Sequence, residues 1–395
     1  MTEQLIFHKK VLIPQSSSSI SQSISQSSSI KLDITYDEIV ITNKSRIKCY
    51  CISDIHADSE KNQEWVKDKC KRNDDDTNVF TILIIPGDIG SEMNKIERVF
   101  KHVSNVYDIV CYVPGNHELW KRGSIKSTKE CMNSIEKLYE VMECASSFPN
   151  IRIGPIRISF TEQQQNGLCI FPLYSWYHSG FDTEPDLIHP TYLNAERAFP
   201  FVAKWGDFNM CSWPEKLINQ KEFSTIKIEE DNTTLAEAFG NLNEPFLKDK
   251  NIVQVNDTVI SFSHFVPRLE LLPEKRFLLE PLLSRVVGSN VLESQIRRLQ
   301  PSLHLFGHTH IPIDLELDGI RYLQYPLGYS REAEMQCKLI VQNGPLLVYD
   351  SFLNGISCDG TQDMNWTKYY KENNRNPLIV DQLAPWLEAR LKSFL

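Results

Sequence analysis

Residues 47–56 read Ile47-Lys48-Cys49-Tyr50-Cys51-Ile52-Ser53-Asp54-Ile55-His56, a strand-like run that ends in an Asp and a His two positions apart. Side chains two apart leave a strand on the same side, so a strand end can aim both at one point. The device recurs down the chain. Residues 79–85 lead into Gly87-Asp88, 109–113 into Gly115-Asn116-His117-Glu118, 259–262 into His264, and 303–306 into Gly307-His308-Thr309-His310. These are short apolar runs punctuated by Pro or Gly. Between the first three lie helix-permissive segments, 60–72 and 94–103, the second placing Ile96, Val99, Phe100 and Val103 on one face. Such a strand-helix-strand rhythm predicts a layered sheet whose strand ends gather at one edge, where loops distant in sequence converge on a ligand.

The polar residues at those ends suit metal ions. Asp, His and Asn are hard or borderline ligands, and a shared carboxylate can hold two divalent ions about 3.5 to 4 Å apart, the spacing of two-metal phosphoryl chemistry. His308 and His310 repeat the spacing of Asp54 and His56, which makes two opposing jaws. Gly87, Gly115 and Gly307 allow the sharp turns that bring a following ligand over a strand end.

In order and wording the motifs resemble those of the calcineurin-like metallophosphoesterase superfamily: Asp-x-His, Gly-Asp, Gly-Asn-His-Asp/Glu, a lone His, and Gly-His-x-His, over residues 48–329. The resemblance implies an α/β (α+β) four-layer sandwich, two mixed β-sheets flanked by helices. It implies one metal held by Asp54, His56, Asp88 and His310, a second by Asp88, Asn116, His264 and His308, with Asp88 bridging. It further implies a metal-dependent phosphoric ester hydrolase in which a hydroxide bridging two ions (Mn, Fe or Zn, with Mn favoured) attacks phosphorus, Asn116 and His117 being catalytic and His117 serving the leaving oxygen. The serine/threonine phosphatase branch continues its second motif as Gly-Asp-x-Val-Asp-Arg-Gly. Here the chain reads Gly87-Asp88-Ile89-Gly90-Ser91-Glu92, so that branch is excluded and His117 needs another orienting group, for which Glu118 and Glu92 are candidates. The tyrosine ligand pattern of purple acid phosphatases is also missing.

The expected organisation is a Ser-rich disordered tail over 1–30, a catalytic domain over 31–358 with an aromatic and acidic cap insertion over 174–250, and a C-terminal extension over 359–395 ending in an amphipathic helix. The cap holds Trp176, Trp205, Asp207 and Trp213, a density that either stacks a ring-bearing substrate or packs an irregular insertion. His178 in the cap, Arg268 and Arg331 are candidate substrate contacts, the arginines because guanidinium matches phosphate oxygens. Local pattern also predicts a strand pair about Asn43-Lys44, a helix over 126–146, and hairpins about Asp318-Gly319 and Asn343-Gly344.

Composition narrows the partners. A net charge of −9 over 395 residues argues against a dominant nucleic-acid footprint, leaving Lys121, Arg122 and Lys126 as a local basic cluster near the site. Ten cysteines without a CxxC pair read as reduced, buried thiols, and no run approaches the roughly 20 apolar residues of a membrane span. The expectation is a cytoplasmic enzyme acting on a small phosphorylated molecule, monoester or diester, with no protein partner identified. A non-catalytic protein-binding scaffold on the same fold and a nucleotide- or RNA-directed phosphodiesterase stay as alternatives.

Overall fold

The computed structural model describes residues 6–11, 30–71, 77–121, 133–160, 166–214, 217, 233–333, 338–353, 355–357 and 364–393. Two sheets form its centre. One has six strands in the order β14-β13-β3-β4-β5-β6: β3 (Arg46–Cys51), β4 (Val79–Pro86), β5 (Ile109–Val113), β6 (Ile151–Arg152), β13 (Leu346–Asp350) and β14 (Gly355–Ile356). The other has eight, β1-β2-β7-β8-β9-β10-β12-β11: β1 (Ile6–Val11), β2 (Tyr36–Val40), β7 (Ile156–Ser159), β8 (Leu168–Pro172), β9 (Thr258–Phe262), β10 (Leu303–Phe306), β11 (Ile313–Leu317) and β12 (Ile320–Gln324). Within each sheet the strands that carry motifs run parallel: β3 to β4 to β5, and β9 to β10 to β12.

Burial follows from that layering. All eight residues of β4 are buried, as expected of a strand covered on both faces, and Ile82, Leu83, Ile84 and Ile85 are fully enclosed. Burying an aliphatic side chain is worth about 1.5–3 kcal/mol, which makes this strand a firm anchor for the Gly87-Asp88 loop that follows it. β3 alternates instead, with Ile47, Cys49 and Cys51 inward. α1 (Glu60–Lys69) and α2 (Met93–Val106) supply the crossovers, α2 burying Ile96, Val99, Phe100 and Val103 at helical spacing. α3 (Ser134–Ser146) starts at an Asn133 cap whose side chain accepts from the Ile135 and Glu136 N–H groups. The expected earlier start of this helix, with Arg122 and Lys126, lies outside the described residues.

The cap contributes α4 (Pro190–Ala198), α5 (Phe201–Lys204), α6 (Gly206–Met210), α7 (Thr233–Gly240) and α8 (Glu244–Lys248). Then come α9 (Asn290–Leu299), α10 (Ser330–Ala333), α11 (Lys338–Asn343) and, in the C-terminal extension, α12 (Asn365–Glu372) and α13 (Pro385–Lys392). Leu387 and Leu391 of α13 are buried with Leu187, Tyr192 and Ala195 of the cap, so the last helix packs on the insertion. Among the described residues no helix is long and apolar enough to cross a membrane. The described cysteines are free thiols, and Cys49, Cys51, Cys70, Cys111 and Cys169 are buried.

Three local expectations are corrected. Residues 31–48 do not fold as a strand pair on one edge, because β2 lies in the eight-stranded sheet beside β7 while β3 crosses to the six-stranded one. Alternation marks a strand but does not say which partner completes its ladder. Residues 6–11, assigned to the tail, form β1 antiparallel to β2, and 12–29 lie outside the description. Around Asn343-Gly344 there is no hairpin: residues 338–343 are α11, and Gly344, at φ 82°, ends it by donating its N–H to the Ile340 carbonyl. A left-handed glycine serves a helix stop as well as a hairpin turn. Asp318-Gly319, with φ 50° and 79°, does turn the β11–β12 hairpin.

Candidate active site

The site sits where the two sheets meet at their strand ends. β3 delivers Asp54 and His56, β4 Asp88 and β5 Asn116 and His117, while β9 delivers His264 and β10 His308 and His310. Backbone bonds join the loops: Asp54 N–H to Gly87 O at 3.1 Å, His56 N–H to Asp88 O at 3.0 Å, Gly307 N–H to His264 O at 2.9 Å and Gly328 N–H to Asp54 O at 2.9 Å. Five of the motif residues take left-handed backbone conformations, Asp54 (φ 52°), His56 (45°), Asp88 (55°), His308 (78°) and His310 (54°). Such strain costs of order 1–3 kcal/mol per residue and persists only where the surroundings over-determine it, as at functional sites. Gly115 is required for a different reason. A Cβ there would lie 2.1 Å from Asp88 Oδ1 and 2.7 Å from its backbone nitrogen.

The motif residues form two donor clusters that share one carboxylate. Ligand atoms of Asp54, His56, Asp88 and His310 lie within 4.8 Å of one another, as do those of Asp88, His264 and His308. Asn116 joins the second cluster, its Oδ1 2.9 Å from His264 Nε2 and 3.0 Å from His308 Nδ1. A neutral imidazole has one N–H and one lone pair, so the outer partner of each ring decides what faces inward. His264 Nδ1 donates to the Pro86 carbonyl (2.9 Å), His308 Nε2 to the Val286 carbonyl (3.0 Å), and His310 Nδ1 to Glu332 (2.6 Å). The inward atoms of the neutral His264 and His308 rings are therefore lone pairs, His264 Nε2 and His308 Nδ1 being only 3.1 Å apart. Asn116 is oriented likewise, its Nδ2 donating to Asp207 at 2.8 Å so that the carbonyl oxygen faces the cluster. In this second cluster acceptors converge with no proton between them; in the first, His56 Nε2 lies 2.8 Å from His310 Nε2, and His56 Nδ1 is buried without a hydrogen-bond partner. This donor set fits divalent cations of the first transition row.

Electrostatics point the same way. Burial, with neighbouring imidazoles, holds His56, His117 and His264 well below the usual histidine range, and pushes His308 down to about 3. His310 is raised despite its burial, by the Glu332 hydrogen bond and the Asp54 charge. Burial pushes Asp88 up, reinforced by the charges of Glu118 and Asp54. Asp54, Asp88, Glu118 and Asp207 are all buried, and among the described residues no lysine or arginine ion-pairs with any of them. Buried carboxylates grouped in this way favour a bound cation.

Several neighbours were not legible in the sequence. Glu118 does not serve His117; its carboxylate, raised by burial to about 7, accepts N–H bonds from Asp88, Ile89, Gly90 and Gly115 and so ties the second and third motif loops together. Glu92 stands at the start of α2 beside Lys95. The group that meets His117 is Tyr329, whose hydroxyl is 3.0 Å from His117 Nε2 and whose ring lies 4.2 Å from that of His56. On its other face His117 stacks on Trp120, centroids 3.7 Å apart. Glu332 accepts the Tyr329 N–H while holding His310, which couples this loop to the first cluster. Asp207 of the cap, raised by burial, accepts from Asn116, Trp120 and Trp205, a role that an acid inside an aromatic insertion hints at without naming its partners.

The three expected substrate contacts lie elsewhere. His178 is buried, its Nε2 accepting the Asn290 N–H at the start of α9, because a strand-end position there faces a helix terminus. Arg268 pairs with Glu270 and Asp318, and Arg331 is exposed on α10; neither lines the cleft. Of the cap aromatics, Trp176 and Trp213 pack in the core at 4.7 Å, while Trp205, with Trp120 of the third motif loop, lines a cleft of about 730 Å³ that reaches Asp88, Asn116, His308 and His310.

Comparison with known proteins agrees with this geometry. The chain is 21% identical over 261 residues to uncharacterized protein L509 of Acanthamoeba polyphaga mimivirus, an alignment covering 65% of this chain and 81% of that protein. Its fold is similar to that of phosphopantetheinyl hydrolase from Mycobacterium tuberculosis, with a TM-score of 0.53 at 16% identity, covering 74% of this chain and 93% of the other. The profile of the calcineurin-like phosphoesterase family matches residues 47–312, the span that holds all five motifs and both donor clusters. The chain therefore belongs to the calcineurin-like phosphoesterase family.

Proposed function

We propose that the protein is a dinuclear, metal-dependent hydrolase of phosphoric esters. The observation that carries this is the convergence of the locked acceptors His264 Nε2, His308 Nδ1 and Asn116 Oδ1 on one side and the cluster of Asp54, His56 and His310 on the other, about a shared Asp88. Asp54, His56, Asp88 and His310 would hold one ion, and Asp88, Asn116, His264 and His308 the other. Divalent ions there supply a water-derived nucleophile at neutral pH and offset the charge of the phosphoryl oxygens.

The chain's own residues do the rest. Asp207 keeps the Asn116 oxygen facing inward, and Glu118 holds the Asp88 and Asn116 loops in register. Pre-positioned donors need little reorganisation when ions and substrate arrive. His117 and Tyr329 share a proton across 3.0 Å at the cleft floor, where a leaving oxygen needs one. Burial raises the Tyr329 hydroxyl well above the usual range, so at neutral pH it keeps its proton and hydrogen-bonds as a neutral group.

Metal-stripped protein resupplied with Mn, Fe or Zn is to be assayed on a chromogenic monoester and the matching diester. Mn is expected to restore turnover, and Asp88→Asn to abolish it with loss of bound metal. Two bound equivalents without turnover on either ester would reject the hydrolase reading.

A further inference from the structure

The cleft does not stop at the metal clusters. The same continuous space that contacts Asp88, His308 and His310 reaches Trp366 of α12 and both Trp386 and Arg390 of α13, helices that lie beyond the matched family span. We propose that this C-terminal extension is the far wall of the substrate site, and that the phosphoester acted on carries a ring-bearing, largely apolar leaving group that stacks on Trp386. This deepens the hydrolase reading and rests on it.

Three observations converge. The two faces of α13 differ: Leu387 and Leu391 are buried against the cap, whereas Trp386 and Arg390, four apart, border the cleft, with Trp386 52% exposed. The extension is also clamped. Ala384 N–H bonds Arg276 O at 3.0 Å, Arg375 Nε bonds Leu272 O at 2.8 Å, Asn376 N–H bonds Glu274 at 3.0 Å and the Tyr370 hydroxyl also bonds Glu274, so Trp386 is presented by a fixed support. The surface the extension packs on is apolar too: Phe277 packs on Trp366 at 5.4 Å between centroids, followed by Leu278 and Leu279, which also line the cleft. A volume of about 730 Å³ suits an organic ligand of appreciable size, since such pockets span about 300–1,000 Å³ and are chiefly apolar with a few polar anchors. Phosphate alone needs only the metal end. Aromatic walls of this kind bind flat rings by stacking, largely independent of their hydrogen-bond pattern.

The test uses the full chain loaded with metal. Binding of naphthylphosphonate and of methylphosphonate, neither of which can be hydrolysed, is measured calorimetrically for the wild type, Trp386→Ala and Trp386→Leu. KM is compared for 2-naphthyl and phenyl phosphate, whose leaving groups are similarly acidic. The wild type should prefer naphthylphosphonate at least tenfold. Trp386→Ala should cut that preference at least fivefold and raise KM for the naphthyl ester relative to the phenyl ester. Trp386→Leu keeps apolar bulk without the ring, so it should lose the preference as well, and it carries the test should the alanine variant fail to fold. A wild-type preference near one, or a preference unchanged in a folded variant, overturns the inference. Ring preference that vanishes with Trp386 while no ester is hydrolysed supports the inference and counts against the hydrolase reading alone.

Discussion

Asp88 is the residue on which both clusters depend, and its position rests on an atom that is missing. Gly115 packs against it so closely that Gly115→Ala would drive a Cβ to within 2.1 Å of Asp88 Oδ1. Because the obstruction includes the Asp88 backbone nitrogen at 2.7 Å, a rotamer change cannot relieve it. We expect this variant to lose at least one metal equivalent by elemental analysis and to fall more than a hundredfold in kcat/KM. Tyr329→Phe is subtler. It removes the hydrogen bond to His117 while keeping the ring against His56. General acid catalysis contributes about 10²–10⁴-fold, so loss of its positioning partner should lower kcat about tenfold. The deficit should be larger for an alkyl ester than for a nitrophenyl ester, whose leaving group needs little protonation; equal deficits would remove Tyr329 from proton handling. At this scale the sequence marked the residues that converge in the two clusters and missed the partners that hold them. His56 and His310 announce themselves by spacing, whereas Glu332, Asp207 and Tyr329 have no motif, since a hydrogen-bond partner needs only proximity.

Among the elements, β10 shows how a strand can hold a histidine for structural reasons close to others that join the donor clusters. His304 is fully buried in β10, Nδ1 2.8 Å from Ser261 Oγ and Nε2 3.1 Å from Ser263 Oγ, and burial lowers it to about 3. With the folded value below the unfolded one near 6.5, the unfolded chain binds the extra proton first as pH falls. The contribution of His304 to stability is thus complete above about pH 6.5 and is lost progressively toward pH 3, by about 1.4 kcal/mol per unit within that window. Urea denaturation of metal-free protein should show stability falling between pH 7 and pH 4, as the other buried histidines also require, and falling less steeply in His304→Gln; a slope unchanged in that variant would place the acid sensitivity elsewhere. The parallel strands and their crossovers were legible because β4 is apolar throughout and α2 has a clean helical stripe. Turn dipeptides were ambiguous. Asp318-Gly319 makes a hairpin and Gly344 a helix stop, and the same positive φ serves both.

In the whole molecule, the donors of each cluster come from both sheets, so ions bound there would tie the two together. Metal should therefore stabilise the fold and not merely activate it. A divalent ion at about a hundred times its dissociation constant adds about 2.7 kcal/mol to unfolding, visible as a rise in Tm that Asp88→Asn lacks. A Tm indifferent to metal would mean the clusters do not bind ions in the folded protein. By itself the sequence determined the superfamily, the motif residues that cluster at the site and the parallel strand ends that carry them, because donor spacing and strand periodicity are local and leave marks at fixed spacing. Only the tertiary structure decided that β2 and β3 part into different sheets, that Glu118 ties the ligand loops and Tyr329 meets His117, that His178 and Arg268 are spent on structural contacts, and that the C-terminal helices border the cleft. Those outcomes depend on which surfaces meet across tens or hundreds of residues, and chain packing sets such meetings without leaving a periodic trace in the sequence.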